Sequence, residues 1–191
     1  MYGLNFAIIT GKVLYVKKHI IEKTKCFFYI CEFESSDPYS VTIPVQVPNL
    51  RERVQAGKTY CAYCTITPKG KYTRFTAQHI VELSEETSGE ALVIMTGKMK
   101  NIKQAGNKKY NYATLKLPKG EIPVTYNPCS CVTEGCFTIA QYRIQCNTDG
   151  CLFFYTPSPI VLREGSALDC VDFLKKKLGE KSSKISAVIS V

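Results

Sequence analysis

Residues 9–13 read Ile9-Thr10-Gly11-Lys12-Val13, and residues 95–99 read Met95-Thr96-Gly97-Lys98-Met99. Two further phrases recur in the same order. Ile43-Pro44-Val45 returns as Ile122-Pro123-Val124, and Phe75-Thr76-Ala77-Gln78-His79-Ile80-Val81 returns as Tyr155-Thr156-Pro157-Ser158-Pro159-Ile160-Val161. The copies lie 86, 79 and 80 residues apart. Three matches in order at a nearly constant offset mark a duplicated unit of about 80 residues. Units of that size are near the lower limit for a self-sufficient core, so the two are expected to pack on each other or on a partner.

Each copy reads as five strands. In the first they are Phe6 to Lys18, Lys25 to Phe33, Ser40 to Val47, Lys58 to Thr67 and Lys71 to Leu83. The second gives Ala91 to Lys103, Lys108 to Leu117, Gly120 to Tyr126, Phe137 to Gln145 and Cys151 to Leu162. Pro68-Lys69-Gly70 and Thr148-Asp149-Gly150 supply the glycine a short hairpin needs between the fourth and fifth runs. Asn49 to Gln55 offers an Asn cap and a turn or two of helix before the fourth. The polar, acidic stretch before the second copy reads as a linker. The expected domains are therefore 1–83 and 91–163, joined by 84–90 and followed by a helix and tail over 164–191.

Five strands, a long first strand carrying Gly near its bend, and an optional helix before the fourth describe an OB-fold. The Thr-Gly-Lys opening, the strand count and the duplication resemble tandem OB-fold proteins that bind single-stranded DNA, of the replication protein A and telomere-end-binding types. The resemblance covers residues 6 to about 163 and lies in pattern, not in one diagnostic motif; other small barrels share the strand count. It implies an all-β chain of two tandem five-stranded barrels. It also implies a single strand cradled on each barrel face, against the second and third strands and the loops beside them.

Charge points the same way. The chain carries 25 Lys and Arg against 16 Asp and Glu, a net +9, which favours a polyanionic partner. There is no Trp, but 12 Tyr and 9 Phe supply aromatic faces. No 18-residue apolar run spans a membrane, and Met1 to Asn5 lacks the pattern of a secretory signal, so an intracellular location without a membrane partner is expected. Ten Cys are then read as reduced thiols.

Positions apolar in both copies are the expected core. In the second strand Tyr29, Cys31 and Phe33 align with Ala113, Leu115 and Leu117, which leaves Phe28 and Tyr112 outward at one shared position, placed to stack on a base. In the fourth, Ala62, Cys64 and Ile66 align with Tyr142, Ile144 and Cys146, leaving Tyr63 and Arg143 outward. Lys12 and Lys98 match at the barrel edge. Lys69, Lys71, Tyr72 and Arg74 interleave cations with an aromatic, and a flexible loop carrying Lys108 and Lys109 serves the second copy likewise. Each of these charges taken alone is an ordinary solvated side chain; their recurrence on one face is the signal.

The cysteines compete for a different reading. Cys131-Val-Thr-Glu-Gly-Cys136 and Cys146-Asn-Thr-Asp-Gly-Cys151 are near-copies, and four thiolates in two knuckles suit tetrahedral zinc. The pattern resembles the zinc ribbon in the last OB-fold of the large replication protein A subunit, although the second knuckle is longer here and the position in the barrel differs. If Phe137 to Gln145 is one extended strand, however, its ends lie roughly 30 Å apart. We therefore expect no cofactor, with both sequences acting as hairpin turns and zinc as the alternative. Cys61 and Cys64, three apart in a strand, point to opposite faces and read as structural.

No nucleophile, zinc-protease or phosphate-loop motif includes His19 or His79, so an enzyme is not expected. Ser166 to Gly179 carries a capping box (Ser166, Asp169) and a stripe of Leu168, Val171, Leu174 and Leu178. That helix packs on the second copy or drives homo-oligomer or partner association. The expected function is non-enzymatic binding of single-stranded DNA in replication, repair or protection. An RNA-binding OB-fold protein and a protein-binding scaffold are the alternatives.

Overall fold

The computed structural model describes residues 4–36, 40–48, 54–70, 72–84, 89–129, 131–147, 151–162 and 175–176. The first copy forms β1 (Asn5–Ile20), β2 (Phe27–Ser35), β3 (Val41–Pro48), β4 (Thr59–Lys69) and β5 (Tyr72–Glu82). They close on themselves in the order β1-β2-β3-β5-β4-β1, with β3–β5 the one parallel pairing. This is a closed five-stranded barrel of the expected OB type.

The remaining strands are β6 (Glu90–Gln104), β7 (Asn111–Leu117), β8 (Gly120–Tyr126), β9 (Phe137–Cys146), β10 (Leu152–Thr156) and β11 (Ile160–Val161). They pair as β6-β7-β8-β10-β9, with β9 returning to β6 and β8–β10 parallel. The fifth run, expected as one strand, is split. Pro157 and Pro159 lack the N–H a continuous ladder needs, so pairing resumes only at Ile160 and Val161, against Ile139 and Thr138 of β9.

The inward positions correspond one to one. Val13, Phe33, Ile43, Val45 and Phe75 are buried in the first set, and Met99, Leu115, Ile122, Val124 and Phe154 in the second. The Thr-Gly-Lys phrase has a cause in both. An added Cβ on Gly11 would overlap the carbonyl oxygen of Glu34, and one on Gly97 would lie 2.6 Å from that of Lys116. A structural repeat also appears that the sequence reading missed: Val54-Gln-Ala-Gly57 and Val132-Thr-Glu-Gly135. Gly57 donates to Val13 O and Val13 to Lys58 O; Gly135 donates to Met99 O and Met99 to Cys136 O. Both glycines have positive φ, 89° and 82°, and each preceding valine plugs the core. Thr133-Glu134-Gly135 is thus part of a barrel cap, not a hairpin turn as expected.

The two sets join through their first strands. Asn5 to Thr10 of β1 pair antiparallel with Met95 to Glu90 of β6. This register maps onto itself: Ala7 pairs with Val93, its own counterpart, and Asn5↔Met95 is mirrored by Ile9↔Ala91. Thr10 Oγ1 donates to Glu90 O, and its counterpart Thr96 donates to Leu4 O, the counterpart carbonyl. Phe75 packs against its counterpart Phe154 with ring centroids 6.2 Å apart. The junction therefore has a local two-fold axis. Over it lies an apolar cluster of Ile8, Cys61, Leu92, Ile94, Ile139 and Leu162, with Phe6, Tyr63, Leu83 and Phe137 packed against it.

Three expectations need adjusting or fall outside. Glu90 belongs to β6 and buried Gly89 accepts a bond from Ser36 N, so the end of the expected linker is fixed to the first barrel. Of the helix expected at 49–55, residues 49–53 lie outside the described residues, while Val54 and Gln55 are irregular. The helix expected over 166–179 also lies outside them, apart from Lys175 and Lys176, which are helical.

Candidate nucleic-acid interface

A groove of about 650 Å³ crosses the outer face of β7, β8, β10 and β9. Its floor is set by alternation: Ile122 and Val124 turn inward, so Pro123 between them turns outward, beside Thr125. Aromatic walls come from Tyr110, Tyr112, Phe153 and Tyr155. Tyr112 is 53% exposed. Tyr110 and Tyr155 meet edge to face at 6.0 Å, and Tyr155 donates its hydroxyl to Asn127 Oδ1 at 3.0 Å, which fixes that wall. Arg143, Gln145 and Asn147 supply the polar side.

A smaller groove of about 270 Å³ occupies the outer face of β2, β3, β5 and β4. His19, Phe28, Ile30, Pro44, Gln46, Lys69, Tyr72, Arg74 and Phe75 line it. The His19 imidazole stacks on Phe28 at 5.4 Å and 9°, so one face of that half-buried ring is already covered. Neither ion pair between described residues, Lys58–Glu82 and Lys100–Glu121, uses a groove cation. Among the described residues Lys69, Arg74 and Arg143 have no carboxylate partner.

Strand register shows the two grooves to be counterparts. Pro44 opposes Glu32 on β2 and Pro123 opposes Thr114 on β7. This makes Ile30 the counterpart of Tyr112, and Phe28 that of Tyr110. The β1–β4 and β6–β9 ladders match Lys69 with Asn147, and the parallel pairs Val45↔Phe75 and Val124↔Phe154 match Arg74 with Phe153. Together with Pro44/Pro123 and Gln46/Thr125, six wall positions recur.

Three sequence equivalences are corrected by this register, the first a slip of one in the fifth run, where Phe75 matches Phe154 and not Tyr155. Phe28 and Tyr112 do not share a position; Tyr112 stands two residues further along. Likewise Arg143 is the counterpart of Thr65, and Tyr63 that of Gln141. A slip of two leaves inward and outward parity unchanged, so alternation alone could not detect it. Tyr63 leaves the candidate interface altogether. It packs at the junction between Phe6 (5.7 Å) and His79 (6.5 Å).

The other candidates scatter. Lys69, Tyr72 and Arg74 line the first groove and Arg143 the second. Lys71 lies outside the described residues. Lys108 and Lys109 are exposed beside Tyr110, on a tight turn closed by Ala105 N to Tyr110 O and Lys108 N to Ala105 O, not on the flexible loop expected. Lys12 and Lys98 are exposed counterparts but distant from the grooves. Lys12 is seven residues from His19, roughly 23 Å along the strand, and Lys98 five from Lys103, which pairs with Tyr112. His19, Tyr110, Phe153 and Tyr155 were missed. The register of Tyr110 against Phe28 would have found one of them.

The zinc set does not assemble. Phe137–Cys146 is a single ten-residue strand, so Cys131 and Cys136 stand at one end and Cys146 and Cys151 at the other. Among the described residues no cluster of His, Cys, Asp or Glu could hold a metal ion. Cys129 and Cys131 are free thiols, and a hydrogen bond between their side chains lowers the Cys129 pKa and raises that of Cys131. Cys61 and Cys64 are buried on opposite faces, in the junction cluster and the barrel core, as their spacing implied. Desolvation pushes Cys31 and Cys61 up to about 11 and Cys64 higher still.

No protein-family model matches the chain, and comparison with curated proteins gives no match. Solved structures do. A single-stranded DNA binding protein from Thermus aquaticus aligns with a TM-score of 0.65 at 11% identity, over 87% of this chain and 97% of that one. A deletion mutant of the same Thermus aquaticus protein aligns at 0.62 and 10% identity, over 85% and 96%. At such identity the likeness is one of fold, and it extends over both strand sets.

Proposed function

We propose that the chain is a tandem of two OB barrels that binds single-stranded DNA without catalysis, by base stacking and phosphate contact in the two grooves. One observation carries the reading: two grooves on the outer faces share six wall positions, and both combine aromatic rings with cations that form no ion pair among the described residues. Stacking on an aromatic face contributes roughly 1–3 kcal/mol per base and tolerates any sequence. The net charge of +9 adds a salt-dependent phosphate term. The fold shared with a single-stranded DNA binding protein supports the same reading. A role in replication, repair or protection of single strands inside the cell follows from it.

Fluorescence anisotropy with oligo-dT, duplex DNA and oligo-U across a salt series tests it. Preference for oligo-dT with a marked salt slope is expected. Equal affinity for duplex overturns it, tighter binding of oligo-U moves the ligand to RNA, and no binding leaves a protein-binding scaffold.

A further inference from the structure

The tips of the two equivalent hairpins differ in a way the fold does not require. Beyond Lys12, β1 leaves β4 and pairs only with β2; beyond Phe28, β2 has lost β3. Among the described residues, no strand pairs with the hairpin past that point. It is a defined finger, with Ile20 paired to Phe27, Ile21 N bonded to Cys26 O at 2.8 Å, and Thr24 N to Ile21 O at 3.2 Å. Its end is apolar and open to solvent: Ile20 is 62%, Ile21 43% and Phe27 36% exposed. Lys17, Lys18, Lys23 and Lys25 surround these side chains, against one acid, Glu22, and Lys18 Nζ lies 4.3 Å over the Phe27 ring. At the counterpart tip, residues 105–109 read Ala-Gly-Asn-Lys-Lys, basic but without an apolar end.

Three exposed apolar side chains ringed by lysines match a partner that is anionic outside and apolar within. A nucleic-acid duplex end is such a partner, with phosphates flanking stacked bases. The finger is continuous with the first groove, because His19 and Phe28 at its base are groove walls. We propose that Ile20, Ile21 and Phe27 form a wedge that inserts at the junction between a single strand held in that groove and the duplex it leaves, opening the terminal pair. Apolar wedges inserted between base steps unstack them at a cost in free energy. Here the lysine–phosphate contacts offset that cost. This inference rests on the single-strand reading above.

The test uses the full chain and three DNA probes: an oligo-dT tail, a blunt duplex, and the same duplex bearing the tail. The last carries 2-aminopurine in its terminal pair. Expected are roughly tenfold tighter binding of the tailed duplex than of the tail alone and a rise in 2-aminopurine fluorescence. The variant Ile20→Ser/Ile21→Ser should lose both while binding the tail unchanged and melting as the wild type does. Equal affinity for tail and tailed duplex, or a fluorescence rise that persists in the variant, overturns the wedge. So does a variant whose defect is in self-association or in binding to anionic phospholipid vesicles. Failure to bind the oligo-dT tail overturns instead the single-strand reading on which the wedge stands.

Discussion

The two strand sets share a topology and differ in where they put their chemistry. The first holds three of its four thiols inside: Cys31, Cys61 and Cys64 are fully buried, and Cys26 is exposed on the β1–β2 hairpin. The second keeps Cys129, Cys131, Cys136, Cys146 and Cys151 at or near the surface. The first groove is narrow and cationic, with its principal aromatic half covered by His19. The second is more than twice as large and is walled by four aromatic rings. The ladders and the cap glycines are common to both sets, because changing them breaks the strand pairing. Outward positions differ: the second set presents aromatic surface where the first presents charge.

The firmest shared feature is the close approach at Gly11 and Gly97. Gly11→Ala and Gly97→Ala should each destabilise the chain by about 3 kcal/mol, read by chemical denaturation, because neither carbonyl can retreat without leaving its ladder. If one of the two is neutral, the sets are not held by the same contact.

In binding the sets should separate. Tyr112→Ala should weaken oligo-dT affinity by about 2 kcal/mol, and Phe28→Ala by about 1, because His19 already occupies one face of Phe28. Tyr63→Ala should lower stability and leave affinity per folded molecule unchanged. A large loss of affinity for Tyr63→Ala would return it to the interface.

Thiol chemistry sharpens the contrast further. Buried thiols with raised folded pKa values contribute stability that is complete below the ordinary value of 9.0 and is lost as pH rises through about 11. Alkaline unfolding monitored between those limits should therefore be blunted by Cys31→Ala relative to Cys146→Ala. With a thiol-alkylating reagent near pH 8, mass spectrometry should show Cys129 modified well before Cys31, Cys61 or Cys64.

The smallest effect concerns the salt slope. Arg143→Ala and Lys69→Ala should each lower it by about one unit, whereas Lys12→Ala and Lys98→Ala should change it by a fraction of that. Equal slopes for all four would mean that the strand's path leaves the grooves and runs along the barrel edges.

Much of this architecture was legible because it rests on repeated local constraints. Thr-Gly-Lys recurs where a strand must pass a carbonyl and clamp its neighbour, and Ile-Pro-Val recurs where two branched residues flank the groove floor. What escaped was register. Tyr29, Cys31 and Phe33 alternate as well against Ala113, Leu115 and Leu117 as against Asn111, Ala113 and Leu115, two residues away, and only the ladder to Pro44 and Pro123 decides between them. The junction escaped for a similar reason. Tyr63, outward on its barrel, looks like a binding residue until a second strand set is seen to cover it. The near-identity of the two Cys-x4-Cys segments was coincidental in structure: one is a barrel cap and the other spans a strand end.

The self-reciprocal pairing centred on Ala7 and Val93 constrains any thread-like ligand. Each groove is fixed to its own ladder, so the rotation that relates the ladders relates the grooves. A half-turn carries no forward step, unlike the screw that stacks repeats along a filament. For a polymer with a direction, entering both grooves in the same sense, the half-turn reverses whatever part of its path lies across the axis and keeps the part that lies along it. The link between the grooves has to supply that reversal, so the angle of the grooves to the axis sets the shortest strand that can fill both.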